Sequence, residues 1–189
     1  MEPIILNHPL VEHKLTILRN KNTGTKEFRE IATELAMILC YEAMKDAKLE
    51  KVEIETPITK TVSGKLNEDD YAFIPILRAG IIMVDGVLRV IPNAKIGHIG
   101  LYRNEETLKP VKYYYKVPKD IKNRTVLLLD PMLATGGSAV DAISMIKEDG
   151  VNKIKFLSII AAPEGLKRVQ QEHPEDRKSV GRERVCIQV

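Results

Sequence analysis

Two cysteines, Cys40 and Cys186, are too few for a disulfide scaffold, so a reducing, cytoplasmic setting is expected. His8, His13, His98 and His173 lie far apart and none pairs with a cysteine, which leaves no short-spaced ligand set for a metal. The longest run without charge is the ten residues 131–140, against the roughly 20 that a membrane span needs. No basic stretch followed by an apolar core opens the chain, so no signal peptide and no membrane association are expected. Repeats, low-complexity tracts and Ser/Gly linkers are missing as well. G-x-x-x-x-G-K-[ST], G-x-G-x-x-G after a first strand and G-x-S-x-G are all absent. That disfavours P-loop kinases and GTPases, dinucleotide dehydrogenases and serine hydrolases of the nucleophile-elbow type.

What remains is an ordinary globular chain of 189 residues, 44% hydrophobic and 29% charged, enough for one domain with its own core. The net charge of +3 is carried entirely by residues 177–189, where Arg177, Lys178, Arg182 and Arg184 face one acid, Glu183. The first 176 residues are neutral. A nucleic-acid footprint should be spread over a face or a long helix, so no nucleic-acid partner is expected.

Helical and strand periods alternate, the pattern of an α/β domain. Thr25 is read as an N-cap ahead of Phe28, Ile31, Leu35, Ile38 and Tyr41 at helical spacing. Residues 70–77 read as a buried strand that Pro75 should end, and Ile81, Val84, Leu88 and Ile91 as a helix stopped by Pro92. Residues 95–101 and 113–115 are further strands. Residues 125–130 form a continuous apolar run, as a strand covered on both faces requires. Val140, Ile143 and Ile146 mark the next helix, Gly150 its stop, and residues 153–161 the strand that completes a right-handed βαβ unit.

In a parallel sheet, ligands sit beyond the carboxyl ends of the strands. After the apolar run comes Asp130-Pro131-Met132-Leu133-Ala134-Thr135-Gly136-Gly137-Ser138. The acid can accept hydrogen bonds from ribose hydroxyls. The hydroxyls of Thr135 and Ser138, and glycines without side chains, suit a phosphate held by backbone N–H groups at a helix N-terminus. The glycines alone would equally describe a plain strand–turn–helix corner; the preceding acid decides for phosphate. Arg78-Ala79-Gly80 follows one strand and Arg103 another, both suited to an anion because guanidinium binds phosphate oxygens bidentately. Cys40 reads as core, Glu105 and Glu106 as solvent-facing loop charges, and the histidines as structural or surface residues.

The 130–138 loop is similar to the ribose-5-phosphate loop of type I phosphoribosyltransferases, with Pro131 where the commoner form has a second acid. Together with Pro75-Ile-Leu-Arg-Ala-Gly80, Tyr102-Arg-Asn-Glu-Glu-Thr107, Ala161-Ala-Pro-Glu-Gly165, His8-Pro-Leu10 and His13-Lys-Leu15, it resembles the uracil phosphoribosyltransferase family over residues 1–174. The resemblance implies a Rossmann-like parallel-sheet fold and transfer of 5-phosphoribose from its diphosphate to uracil, giving UMP and diphosphate. It implies that Ala134, Thr135, Gly136, Gly137 and Ser138 hold the 5-phosphate, within a 131–138 segment that also includes Pro131, Met132 and Leu133. Asp130 would hold the ribose hydroxyls, and Arg78, Ala79 and Gly80 the diphosphate. Arg103 would close over the diphosphate from a mobile loop, so that Asp130 and Arg103 are the catalytic candidates. Mg²⁺ would arrive on the diphosphate rather than in a protein cage. A homodimer or larger homo-oligomer, and GTP as an activator in some members, are implied too. A non-catalytic binder or regulator of the same fold is the alternative, with the neutral 1–176 segment arguing against an RNA-binding one.

The family continues past His173-Pro174 with two strands bracketing a segment like Gly-Tyr-Ile-x-Pro-Gly-Leu-Gly-Asp-Ala-Gly-Asp that surrounds the base. Residues 177–189 match none of it. They are read as a truncated frame ending in foreign sequence: an incomplete transferase domain over 1–176, then an unrelated, disordered basic tail. Uracil-binding residues are not assigned on this reading.

Overall fold

The computed structural model describes residues 2–103, 110–174 and 184–187. Strands are β1 (Glu2–Ile5), β2 (Leu49–Glu55), β3 (Lys60–Leu66), β4 (Tyr71–Leu77), β5 (Lys95–Ile96), β6 (His98–Arg103), β7 (Pro110–Lys116), β8 (Thr125–Leu129), β9 (Met132–Leu133), β10 (Ile154–Ser158), β11 (Ile160–Ala161) and β12 (Arg184–Ile187). Helices are α1 (Pro9–Arg19), α2 (Thr25–Ala43), α3 (Val84–Val90), α4 (Gly137–Glu148) and α5 (Pro163–Glu172). The main sheet runs β1-β12-β10-β8-β4-β6-β7, with β5 also on β4; β6 and β7 pair antiparallel and the other pairs are parallel. The β2–β3 hairpin and the β9–β11 pair stand apart from it. Among the described residues, no helix is long and apolar enough to cross a membrane.

The apolar runs read from the sequence are double-sided, because successive strand residues point to opposite faces. Tyr71, Phe73, Leu127, Leu129 and Leu157 pack against α1, α2 and α3. Ala72, Ile74, Ile76, Val126, Leu128, Ile154 and Phe156 pack against α4 and Val169 of α5. Burying each large aliphatic or Phe side chain contributes about 1.5–3 kcal/mol before conformational entropy is subtracted. Two buried cations have structural partners. Arg124 clasps Asp120 (Nη2 to Oδ2 2.6 Å), and Lys155 donates to Ala43 O and Asp46 Oδ1, each at 2.5 Å, at the carbonyl end of α2.

Several local expectations are corrected. Gly24, not Thr25, is the N-cap of α2. Phe28 and Tyr41 are 40% and 75% exposed, since the buried stripe runs through Ile31, Ala32, Leu35, Ala36, Leu39, Cys40 and Ala43. Pro75 does not end its strand. It falls between the Phe73–Ile96 and Ile76–Ile99 pairs, at the break between β5 and β6, so the N–H that proline lacks lies where pairing along that side of β4 is interrupted. Residues 79–83 form a 3₁₀ turn before α3, leaving Ile81 58% exposed. The 95–101 strand breaks at Gly97, and the 153–161 strand at Ile159.

The tail is corrected too, at Arg184–Ile187. Instead of disorder, these four residues lie between β10 and β1, parallel to both. The open edge of β10 presents backbone donors and acceptors that a short segment with β-branched Val185 and Ile187 can satisfy.

Candidate functional site

The carboxyl ends of β4, β8 and β10 lie level, with Pro75 beside Leu129 and Leu129 beside Leu157. The residues that follow these ends are therefore neighbours. Asp130 N donates to Leu157 O at 3.1 Å, and the Met132 N–H reaches the Asp130 carboxylate at 3.4 Å. Burial outweighs that bond and pushes the Asp130 carboxyl up to about 6. After β4 the exposed Arg78 and Ala79 lead to buried Gly80, and the Leu77–Arg78 peptide is cis. Gly80 lies so close to the backbone before Asp130 that a Cβ would stand 2.4 Å from Leu129 O. Gly80→Ala must therefore separate the Arg78 turn from Asp130. It is expected to weaken, about tenfold, binding of the phosphoribosyl diphosphate that the sequence resemblance implies, on the scale of one or two lost hydrogen bonds; unchanged affinity by calorimetry would count against a shared site.

Beyond Asp130 the chain runs through β9 and turns into α4. Pro131 O accepts from Ile160 N, Met132 is exposed, and the Leu133 side chain lies in the core, so Leu133 can serve a ligand only through its backbone. Ala134, Thr135 and Ser138 are exposed, whereas Gly136 and Gly137 are buried. Gly136 caps α4 at φ 78°, a conformation that side chains resist, and no side chain caps this helix end. The first-turn N–H groups and the helix dipole thus point where an anion would lie.

Arg103 ends β6. Since Leu77 pairs with Gly100, Arg103 lies three residues farther along, about 10 Å past the end of β4. Its side chain, the 104–109 loop expected to be mobile, and Glu105 and Glu106 lie outside the described residues. The structure therefore brings together Arg78, Ala79, Gly80, Asp130 and residues 131–138, and places the backbone of Arg103 on the adjoining hairpin.

Two contributors were not read from the sequence. Ser158, wholly buried, accepts from Leu133 N at 3.1 Å. Gly165, in the first turn of α5, would put a Cβ 2.3 Å from Ala134 O. A serine closing an apolar strand was the available signal for the first. Gly165 closes the Ala161–Gly165 motif, whose sequence carries no sign of this contact.

A family model described as uracil phosphoribosyltransferase matches residues 5–181. The chain belongs to the uracil phosphoribosyltransferase family. A uracil phosphoribosyltransferase of Clostridium botulinum is 56% identical over 172 residues, 91% of this chain and 82% of the relative. One from Streptococcus mutans is 57% identical over 171 residues, again covering 82% of the relative. A solved Aquifex aeolicus protein superposes with a TM-score of 0.89 at 40% identity, over 98% of this chain and 86% of its own. The adenine phosphoribosyl transferase of Trypanosoma brucei, solved with AMP, pyrophosphate and ribose-5-phosphate, shares the fold at a TM-score of 0.61 and 12% identity.

Among the described residues, no group of three or more His, Cys, Asp or Glu side chains could hold a metal ion. Asp130, a hard oxygen donor at the strand tip, fits an ion that brings its remaining ligands with a phosphate substrate.

Proposed function

We propose that this member of a pentosyltransferase family binds 5-phosphoribosyl diphosphate across the ends of β4, β6 and β8 and transfers its phosphoribosyl group to uracil. The observation carrying this reading is that the Arg78–Gly80 turn, Asp130 and the start of α4 converge at level strand ends. Residues 134–138 hold the 5-phosphate through backbone N–H groups and the hydroxyls of Thr135 and Ser138. Asp130 accepts from the ribose hydroxyls, and Arg78, Ala79 and Gly80 take the diphosphate. Mg²⁺, when bound, neutralises charge on that diphosphate. Positive charge develops on the ribose and negative charge on the leaving group, so a cation close to the diphosphate acts most strongly in the transition state.

Arg103 is the second cation in this reading. In a version with a family-like segment after residue 176, Arg103→Ala should lower kcat about tenfold or more while changing ground-state Kd less. Normal turnover by that variant would remove Arg103 from the catalytic set.

The proposal extends to a cytoplasmic homodimer or larger homo-oligomer. It is supported by apolar side chains exposed on the β2–β3 hairpin, Leu49, Ile54, Ile58 and Val62, and sedimentation tests it. GTP as an activator follows from the family resemblance alone, and assays with and without GTP test it.

A further inference from the structure

Assigning the 5-phosphate to residues 134–138 leaves open what holds that loop in place. The backbone of residues 131–133 is tied to the end of β10 and the segment after it by three hydrogen bonds. Ile160 N donates to Pro131 O at 3.0 Å, Ala162 N to Leu133 O at 2.8 Å, and Leu133 N to the Ser158 hydroxyl at 3.1 Å. The Ser158 hydroxyl in turn donates to Ile160 O at 2.9 Å, so one buried side chain both anchors the loop and shapes the strap that holds it. Farther along, α5 meets the loop backbone to backbone. A Cβ on Gly165 would stand 2.3 Å from Ala134 O and 3.0 Å from Leu133 O, and one on Gly136 2.8 Å from Gly165 O.

We propose that Ser158 and Gly165 are positioning residues that set the phosphate-holding geometry of residues 134–138 without touching substrate. The inference rests on that loop taking the 5-phosphate. The physical link is the planarity of the peptide unit. Ala134 O and the Thr135 N–H belong to one rigid plane, so pushing the oxygen away from Gly165 rotates that N–H and with it the loop that the proposed function gives the phosphate. Removing the Ser158 hydroxyl leaves the Leu133 N–H buried without its acceptor and frees the loop one residue upstream. The Ala161-Ala-Pro-Glu-Gly165 motif thereby acquires a role, that of a floor under the phosphate loop.

The test compares two ligands that occupy different halves of the site: ribose 5-phosphate, and Mg²⁺-diphosphate, which the Arg78–Gly80 turn would take. Calorimetry on the unsubstituted chain, Ser158→Ala and Gly165→Ala is run well below each melting temperature. Each variant should lose about fivefold or more in affinity for ribose 5-phosphate, the scale of one hydrogen bond, and keep its affinity for diphosphate. A merely structural role would not separate the two ligands. Ser158→Ala, which removes one oxygen and adds no volume, decides the matter if Gly165→Ala does not fold. Equal losses for both ligands, or none, would overturn the positioning role while leaving the loop assignment standing. An unsubstituted chain that binds diphosphate but not ribose 5-phosphate would overturn the loop assignment itself, and this inference with it.

Discussion

Asp130→Asn is expected to make the fold more stable and phosphoribosyl-diphosphate binding about tenfold or more weaker. The two effects share one cause. Burial holds the Asp130 carboxyl at about 6, above its usual range, so the folded chain disfavours the charged form. The folded state binds the proton more tightly than the unfolded state. The group's favourable contribution is therefore full below the ordinary carboxylate pKa and is lost as pH rises toward 6. Above that pH the charged carboxylate costs at most about 3 kcal/mol, which asparagine relieves. At about 2–4 °C per kcal/mol for a chain of this size, melting should rise by several degrees at pH 8 and hardly at all near pH 4. The same substitution removes a charged acceptor for ribose hydroxyls, worth about 1.5–3 kcal/mol per bond. In the unsubstituted chain, affinity should fall as pH drops below 6, more steeply than in the variant, which isolates Asp130 from the titrating phosphates of the ligand. Calorimetry and thermal melting across that range check all three. Lower stability with unchanged affinity would make Asp130 a structural residue.

The 189-residue chain is expected to bind phosphoribosyl diphosphate with Mg²⁺ yet form UMP from uracil about a hundredfold or more slowly than the same chain with a family-like segment in place of residues 177–189. That factor corresponds to losing two or more hydrogen bonds to the base. The reason lies in what stands after Pro174: residues 177–189 do not resemble the glycine-rich segment that the family resemblance implies around the base. The tail nevertheless serves the fold, because β12 joins β1 to β10 and is the strand through which β1 enters the main sheet. Ending the chain at Pro174 should expose the β10 edge, release β1 and promote aggregation. A radiolabelled-uracil assay and thermal melting on the three chains separate the two roles. Full uracil turnover by the 189-residue chain would mean that the tail supplies a base site, and unchanged melting after truncation would deny β12 its part in the sheet.

The sequence alone determined the centre of this protein. Residues 71–77 and 126–129 are uninterrupted apolar runs and 154–158 is broken only by Lys155 before its closing serine, as strands covered on both faces need, and the acid, hydroxyls and glycines at 130–138 follow the middle one directly. These are local signals: neighbouring residues specify the strand, its end and the phosphate-binding turn together. The tertiary structure decided whatever depends on a distant partner. Pro75 is tolerated inside β4 because of where β5 stops and β6 starts pairing. Phe28 and Tyr41 face solvent because α2 turns the stripe through Ile31, Leu35, Leu39 and Ala43 inward. The carboxyl of Asp130 is raised by burial that no residue next to it announces. Ser158 and Gly165 reach the phosphate loop from about 25–30 residues away along the chain, the first through its side-chain hydroxyl and the second through a backbone contact. Residues 184–187, in a tail that appeared patternless, became a strand because β10 offered them an open edge. Periodicity records which face of an element is apolar, whereas register, burial and edge pairing arise only when elements remote in sequence are packed against one another.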